Sequence, residues 1–196
     1  MMIVTAYHGT SRKNAKKILT EGFRIEKGRQ RYPNDLGHGI YGYLDSSPEK
    51  GDVYFMQTAK ENALLFAKQI RKVPAKQIVV LKLTIQIDIQ NYLDLNQLVN
   101  RNHVLHLYQK IIGGVLRDIK KEYVSDRISR RRQMDGVVLE KLNQVGIISL
   151  PPVVIKDTFT RFNGILSNFT NGREIVIRDP RYIHLIEAIE EQGVMK

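Results

Sequence analysis

The sequence predicts an α+β domain in which helices flank a mixed or antiparallel sheet. Three observations carry this. Residues 77–89 alternate strictly, with Val79, Leu81, Leu83, Ile85, Ile87 and Ile89 on one side and Val80, Lys82, Thr84, Gln86 and Asp88 on the other, the period of a strand. Thr58 and Glu61 fit a capping box, followed by Ala63, Phe66, Ala67 and Ile70 along one helix face. The element order is mixed, with strands gathered late and no repeated strand–helix–strand unit, which separates it from a doubly wound sheet.

Taken in order, residues 2–7 read as a strand running into Tyr7-His8-Gly9-Thr10. Thr10 or Ser11 caps a helix with Ala15, Ile18 and Leu19 inward, and Gly22 stops it. The basic, polar residues 26–38 read as a loop, Gly39 to Leu44 as a strand, 45–51 as a turn-rich connection and Val53 to Met56 as a second short strand. After the 58–70 helix and the 77–89 strand, residues 94–123 read as helical with Leu105, Tyr108, Ile112, Val115, Leu116 and Ile119 inward. Gly113 and Gly114 weaken that helix by about 1 kcal/mol each against Ala. Gly136 to Leu142 reads as a strand, and Pro151-Pro152 opens an irregular stretch. Asn171-Gly172 between 165–169 and 174–178 reads as a hairpin turn. Residues 181–191 fit a strand or a helix equally. The strongly alternating strand at 77–89 has only one fully apolar face, which predicts a sheet packed mainly on one side.

With 196 residues and 42% hydrophobic residues, the chain suits a single folded domain over 1–196, with a basic helical insertion at about 94–133. It contains no cysteine, which excludes disulfides, iron–sulfur clusters, cysteine zinc sites and a thiol nucleophile. The start has no basic stretch before its short apolar run, so no signal peptide is expected. No apolar run reaches the ~18 residues of a membrane span. A cytoplasmic protein with no membrane partner is the expectation. The sequon Asn168-Phe169-Thr170 has no secretory context and reads as chance.

The net charge is +11, and it is uneven. Residues 12–31 hold eight Lys/Arg and two acids, and residues 101–132 hold nine Lys/Arg and three acids. These are either solvated helix faces or surfaces for phosphates. The Arg130-Arg131-Arg132 run favours the second, because guanidinium forks match phosphate oxygens.

Most catalytic signatures fail. Gly37-His38-Gly39-Ile40-Tyr41-Gly42 matches G-x-G-x-x-G, but a polar loop precedes it and no helix follows directly, so it is not a dinucleotide fingerprint. The chain has no P-loop, no G-x-S-x-G and no H-E-x-x-H. His103 and His106 lie three apart without a carboxylate partner, and no metal is expected.

Three segments make more sense together: Tyr7-His8-Gly9-Thr10; Leu36-Gly37-His38-Gly39-Ile40-Tyr41 with the later Glu61-Asn62-Ala63-Leu64-Leu65-Phe66-Ala67; and Asn171-Gly172-Arg173-Glu174-Ile175-Val176-Ile177-Arg178-Asp179-Pro180. In this order they resemble the ADP-ribosyltransferase superfamily, in its His-Tyr-Glu branch of diphtheria-toxin and poly(ADP-ribose) polymerase type, across about residues 3–183. The resemblance implies a split mixed or antiparallel sheet forming an NAD cleft. It implies that His8 bonds the adenosine-side ribose, that the Gly9 backbone holds the carboxamide, and that Thr10 supports the strand end. It further implies that Tyr41 stacks on the nicotinamide, that Phe66 completes an aromatic slot, and that Glu174 holds the other ribose and steadies the oxocarbenium ion. Tyr54, in Tyr54-Phe55, fits the tyrosine motif as well, although Leu36-Gly37-x-Gly39 favours Tyr41. Arg12, Lys13 or Arg24 would face the pyrophosphate.

These residue types suit the chemistry. Nicotinamide leaves a cationic glycoside as a neutral molecule, so the transition state needs fixed negative charge more than a proton. An aromatic face suits the pyridinium ring. Arginine-modifying members of the family carry Glu or Gln two residues before the catalytic Glu, and this chain has Gly172, so arginine is not the expected acceptor. The expected activity is NAD-dependent mono-ADP-ribosyl transfer to a nucleic acid or protein, with nicotinamide released. The reading extends to an intracellular toxin or a phage or defence effector, for which a cognate inhibitor or antitoxin would be a further partner. Two alternatives stand beside it: a non-catalytic nucleic-acid-binding module using residues 101–132, and an RNA 2′-phosphotransferase.

Overall fold

The alternating run becomes a strand paired on both sides. In the computed structural model, which describes residues 1–25, 33–46, 55, 57–122, 135–164 and 167–189, β3 (Ile78–Ile87) lies between β1 (Met2–Ser11) and β7 (Ile183–Ile189), antiparallel to both. The other strands are β2 (Ile40–Leu44), β4 (Tyr92–Asp94), β5 (Val153–Thr158) and β6 (Gly172–Ile177). Among the described residues the seven strands form one sheet in the order β4-β5-β6-β2-β1-β3-β7. Only the β4–β5 pair is parallel. The result is an α+β fold with a mixed sheet.

Helices cover both faces. On one, α1 (Arg12–Glu21) lays Ala15 and Ile18 against Ala6, Leu81, Leu83, Ile85, Ile175 and Ile177. Ser11 caps it, accepting from Asn14 N, and Gly22 ends it with N–H to Ile18 O at 2.9 Å. Leu19, expected inward, is exposed. On the opposite face, α2 (Ala59–Leu65) sits over β1 and β2, while α3 (Leu98–Glu122) and α4 (Asp135–Gln144) sit over β5 and β6. Packing is thus two-sided, although the solvent-side residues of β3 beyond Val80 are only half-buried. The Thr58–Glu61 capping box is present, and α2 widens at its end into a π turn, Phe66–Ile70, with Arg71 N bonded to Phe66 O. Among the described residues no helix is long and apolar enough to cross a membrane.

Four sequence expectations need correction. Gly136 to Leu142 is not a strand but lies within α4. Val138, Leu139 and Leu142 are buried at helical three- and four-residue spacing, and the β-branched pair Val137-Val138 masks that period. Asn171-Gly172 is not a hairpin turn: 167–169 form no strand, Phe169 is exposed, and β6 pairs with β2 and β5. The stretch after Pro151-Pro152 is not irregular, since Val153, Val154 and Ile155 are all buried in β5. The prolines precede the first ladder residue, so their missing N–H groups cost nothing there. On α3, Leu105 faces solvent and Val104 packs inward. Residues 181–191, left open by the sequence, contain β7. Of the expected 53–56 strand only Phe55 is among the described residues; Tyr54 and Arg130-Arg131-Arg132 lie outside them, as does the rest of the insertion beyond α3.

Candidate active site

Strands β1 and β2 run side by side for two residue pairs, Ala6 with Leu44 and Tyr7 with Tyr43. On one side Asp45 N adds a bond to Thr5 O at 2.9 Å; on the other β1 continues only with β3, and β2 only with β6. The split sheet that the resemblance implies is not seen: the seven strands form one continuous sheet, with a short β1–β2 ladder at its middle. Where the ladder stops, His8 Nδ1 lies 2.6 Å from the Tyr41 carbonyl oxygen. A carbonyl only accepts, so Nδ1 holds the proton and Nε2 is left as an acceptor. Burial lowers the His8 pKa to about 4; the Tyr41 bond opposes this and Arg71 adds to it. The imidazole is neutral at pH 7, with its ring set edge-on to Phe23 at 5.3 Å.

A small pocket brings together His8, Gly9, Tyr41, Phe66 and Glu174. Glu174 enters from β6, opposite Tyr43, and is 8% exposed. Burial raises its pKa to about 7, Asp35 pushes the same way, and the Tyr43, Thr158 and Thr160 hydroxyls pull against them. Thr160 Oγ1 donates to Glu174 Oε1 at 3.4 Å and lies 2.8 Å from the Tyr43 hydroxyl, which donates to it in turn. Thr158 Oγ1 makes no hydrogen bond, so it acts on Glu174 only as a nearby dipole. Asn171 holds Thr160 in place with a reciprocal pair, Nδ2 to Thr160 O at 2.8 Å and Thr160 N to Oδ1 at 2.9 Å.

Two glycines owe their identity to packing. A Cβ on Gly9 would collide with the Ala63 carbonyl of α2, and one on Gly172 would press on Asn62 and the Tyr43 ring. No side chain fits two residues before Glu174, so no second carboxylate stands there. Tyr41 is tied down as well. Its hydroxyl donates to Gly37 O at 2.7 Å and accepts from Leu36 N at 2.9 Å, and burial pushes its phenol up. The loop it grips is clipped from outside. Glu140 of α4 accepts from His38 N at 2.6 Å and forms a two-pronged pair with Arg178. Gly37, at φ +96°, has no room for a Cβ beside Glu140.

Phe66 and Arg71 sit at the two ends of the π turn, with Arg71 Cζ 5.7 Å from the Phe66 ring centre. Phe66 also meets Tyr43 edge-on at 6.3 Å. Thr10 lies in an adjoining larger groove that shares His8, Tyr41, Phe66 and Arg71 with the pocket. Arg24 lines that groove too, whereas Arg12 lines a separate one. Tyr54 lies outside the described residues. Sequence reasoning missed Tyr43 and Arg71. Tyr43 was recoverable, because it stands two residues from Tyr41 and shares its strand face. Arg71 depends on the widened turn, for which the sequence carries no signal.

Among the described residues no cluster of three metal-binding side chains occurs. No family model, curated protein or solved structure matches the chain. The chemistry of the pocket is legible without them: a hydroxyl-accepting imidazole, an aromatic ring, and a buried carboxylate whose charge water does not quench.

Proposed function

We propose that the protein is an NAD-dependent mono-ADP-ribosyltransferase with an ADP-ribosyltransferase-like fold, working inside the cell. The observation that carries this reading is the meeting of His8, from the start of the chain, and Glu174, from its last quarter, in one pocket. The pocket opens toward a groove large enough for the rest of a dinucleotide. His8 Nε2 accepts from a ribose hydroxyl and fixes the sugar's orientation. Tyr41 takes the pyridinium against its ring, and Phe66 completes the aromatic slot. Glu174, when ionised, places its carboxylate against the positive charge that grows on the sugar as the glycosidic C–N bond breaks. Neutral nicotinamide leaves, and the acceptor's nucleophile bonds to the anomeric carbon and loses its proton. Gly172 supports an acceptor other than arginine.

The test is incubation with NAD labelled in its adenylate half, together with RNA, DNA and cell lysate. The expected result is nicotinamide release with transfer of label, both abolished by Glu174→Gln. Equal label transfer by wild type and variant, or none by either, would end the proposal.

A further inference from the structure

The face of the molecule carrying α1 has more positive charge than the proposed chemistry uses: a dinucleotide in the groove beside the pocket meets Lys17, Arg24 and Arg71, and the other cations of this face lie outside that groove. Arg12, Lys13, Lys16 and Lys17 are all exposed, and the first turn of α1 contains no acid. Cations there face the positive end of the helix dipole, an arrangement that weakens the helix, so folding does not account for it. Grooves run along both flanks of α1. One is lined by Arg12, Lys16 and Lys76 and by no acid. The other is lined by Lys17, Arg24 and Arg71, with Glu21 as its one acid, held by Arg24 at 2.8 Å. Lys76 lines the first groove, and Lys68 and Lys72, which flank the groove residue Arg71 in the chain, are exposed as well. The second groove leads to His8, Tyr41 and Phe66 in the pocket.

We propose that α1 and residues 68–76 form a docking surface for the sugar–phosphate backbone of a nucleic-acid strand. Lys13 and Lys17 stand one helical step apart, about 6 Å along the axis. Among the described residues of the two grooves these cations meet one acid, Glu21, which matches a polyanion rather than a protein patch of mixed charge. Lysines predominate, and they grip phosphates as point charges without reading bases, so binding is indifferent to sequence. The surface goes beyond the transferase reading and does not depend on it, because docking is measured without NAD.

The experiment is fluorescence anisotropy with a short labelled RNA and with DNA of the same sequence. For four phosphates engaged on a single strand, affinity falls about 50-fold between 50 and 200 mM salt. Lys13→Glu with Lys16→Glu lowers affinity at least about tenfold and cuts the salt slope by about 1.4. Its thermal midpoint stays level or rises, because acids then face the helix dipole. RNA binding with weak DNA binding, or the reverse, names the strand and upholds the surface. Unchanged binding by this variant, a flat salt dependence, or loss on Arg101→Glu with Lys110→Glu alone overturns it. Displacement of RNA by polyglutamate as readily as by unlabelled RNA also overturns it, in favour of an acidic protein partner.

Discussion

Glu174→Gln will stabilise the protein at high pH and not at low pH. In the unfolded chain the carboxyl ionises near 4.5, and in the folded protein near 7. The folded state therefore holds its proton more tightly. The stability this gives is complete below pH 4.5 and is lost as pH rises to 7, where the buried charge costs about 3 kcal/mol. Gln carries no charge, but its amide meets a site built from donor hydroxyls, Tyr43 through Thr160, and loses about 1 kcal/mol there. The net gain at pH 8 is about 2 kcal/mol, or about 4–8 °C in thermal midpoint for a chain of this size. At pH 4 the variant is less stable by about 1 kcal/mol, and the sign changes between about pH 5 and 6. Paired denaturant titrations of wild type and variant at pH 4, 6 and 8 read this directly. A difference independent of pH, or a less stable variant at pH 8, refutes the assignment of a strained, charge-bearing carboxylate at this position.

Further outcomes follow from the same geometry. Nicotinamide release by the wild type will fall about tenfold per pH unit below about 7 as Glu174 takes up its proton; His8, neutral down to about 4, adds no second limb above that, and a pH–rate profile checks both. Gly9→Val will drive a side chain into the Ala63 carbonyl and cost more than about 3 kcal/mol by overpacking, read as loss of the cooperative thermal transition. Arg178→Met will leave Glu140 half-buried with its guanidinium partner gone and cost about 1–3 kcal/mol, measured by urea titration. Thr58→Ala will remove the α2 cap at about 1 kcal/mol, with NAD turnover preserved at temperatures where the variant is folded.

The strand at 77–89, the helix caps at Ser11 and Thr58, and the stop at Gly22 were legible because each rests on local spacing or one residue's chemistry. The His8, Tyr41, Phe66 and Glu174 set was legible as an ordered series of short motifs, and the fold brings these four to one pocket. What stayed hidden depends on distant partners. α4 was concealed because Val137 and Val138 favour strands, while the packing that fixes the helix comes from Leu139 against Leu36, Val154 and Val176 across the fold. Asn171-Gly172 has the composition of a tight turn, but Asn171 spends its side chain on Thr160 and Gly172 makes room for α2. The Glu140 clip joins residues about a hundred positions apart, which no local pattern announces.

The middle of the sheet is held by a short ladder of two residue pairs, the Asp45 N–H to Thr5 O bond and one imidazole. Amide protons of that short ladder will exchange faster than those of the long β1–β3 ladder. A small molecule that touches His8 on one half and Glu174 on the other acts as a rivet. A ligand bound as proposed would make opening of that ladder costlier by mass action.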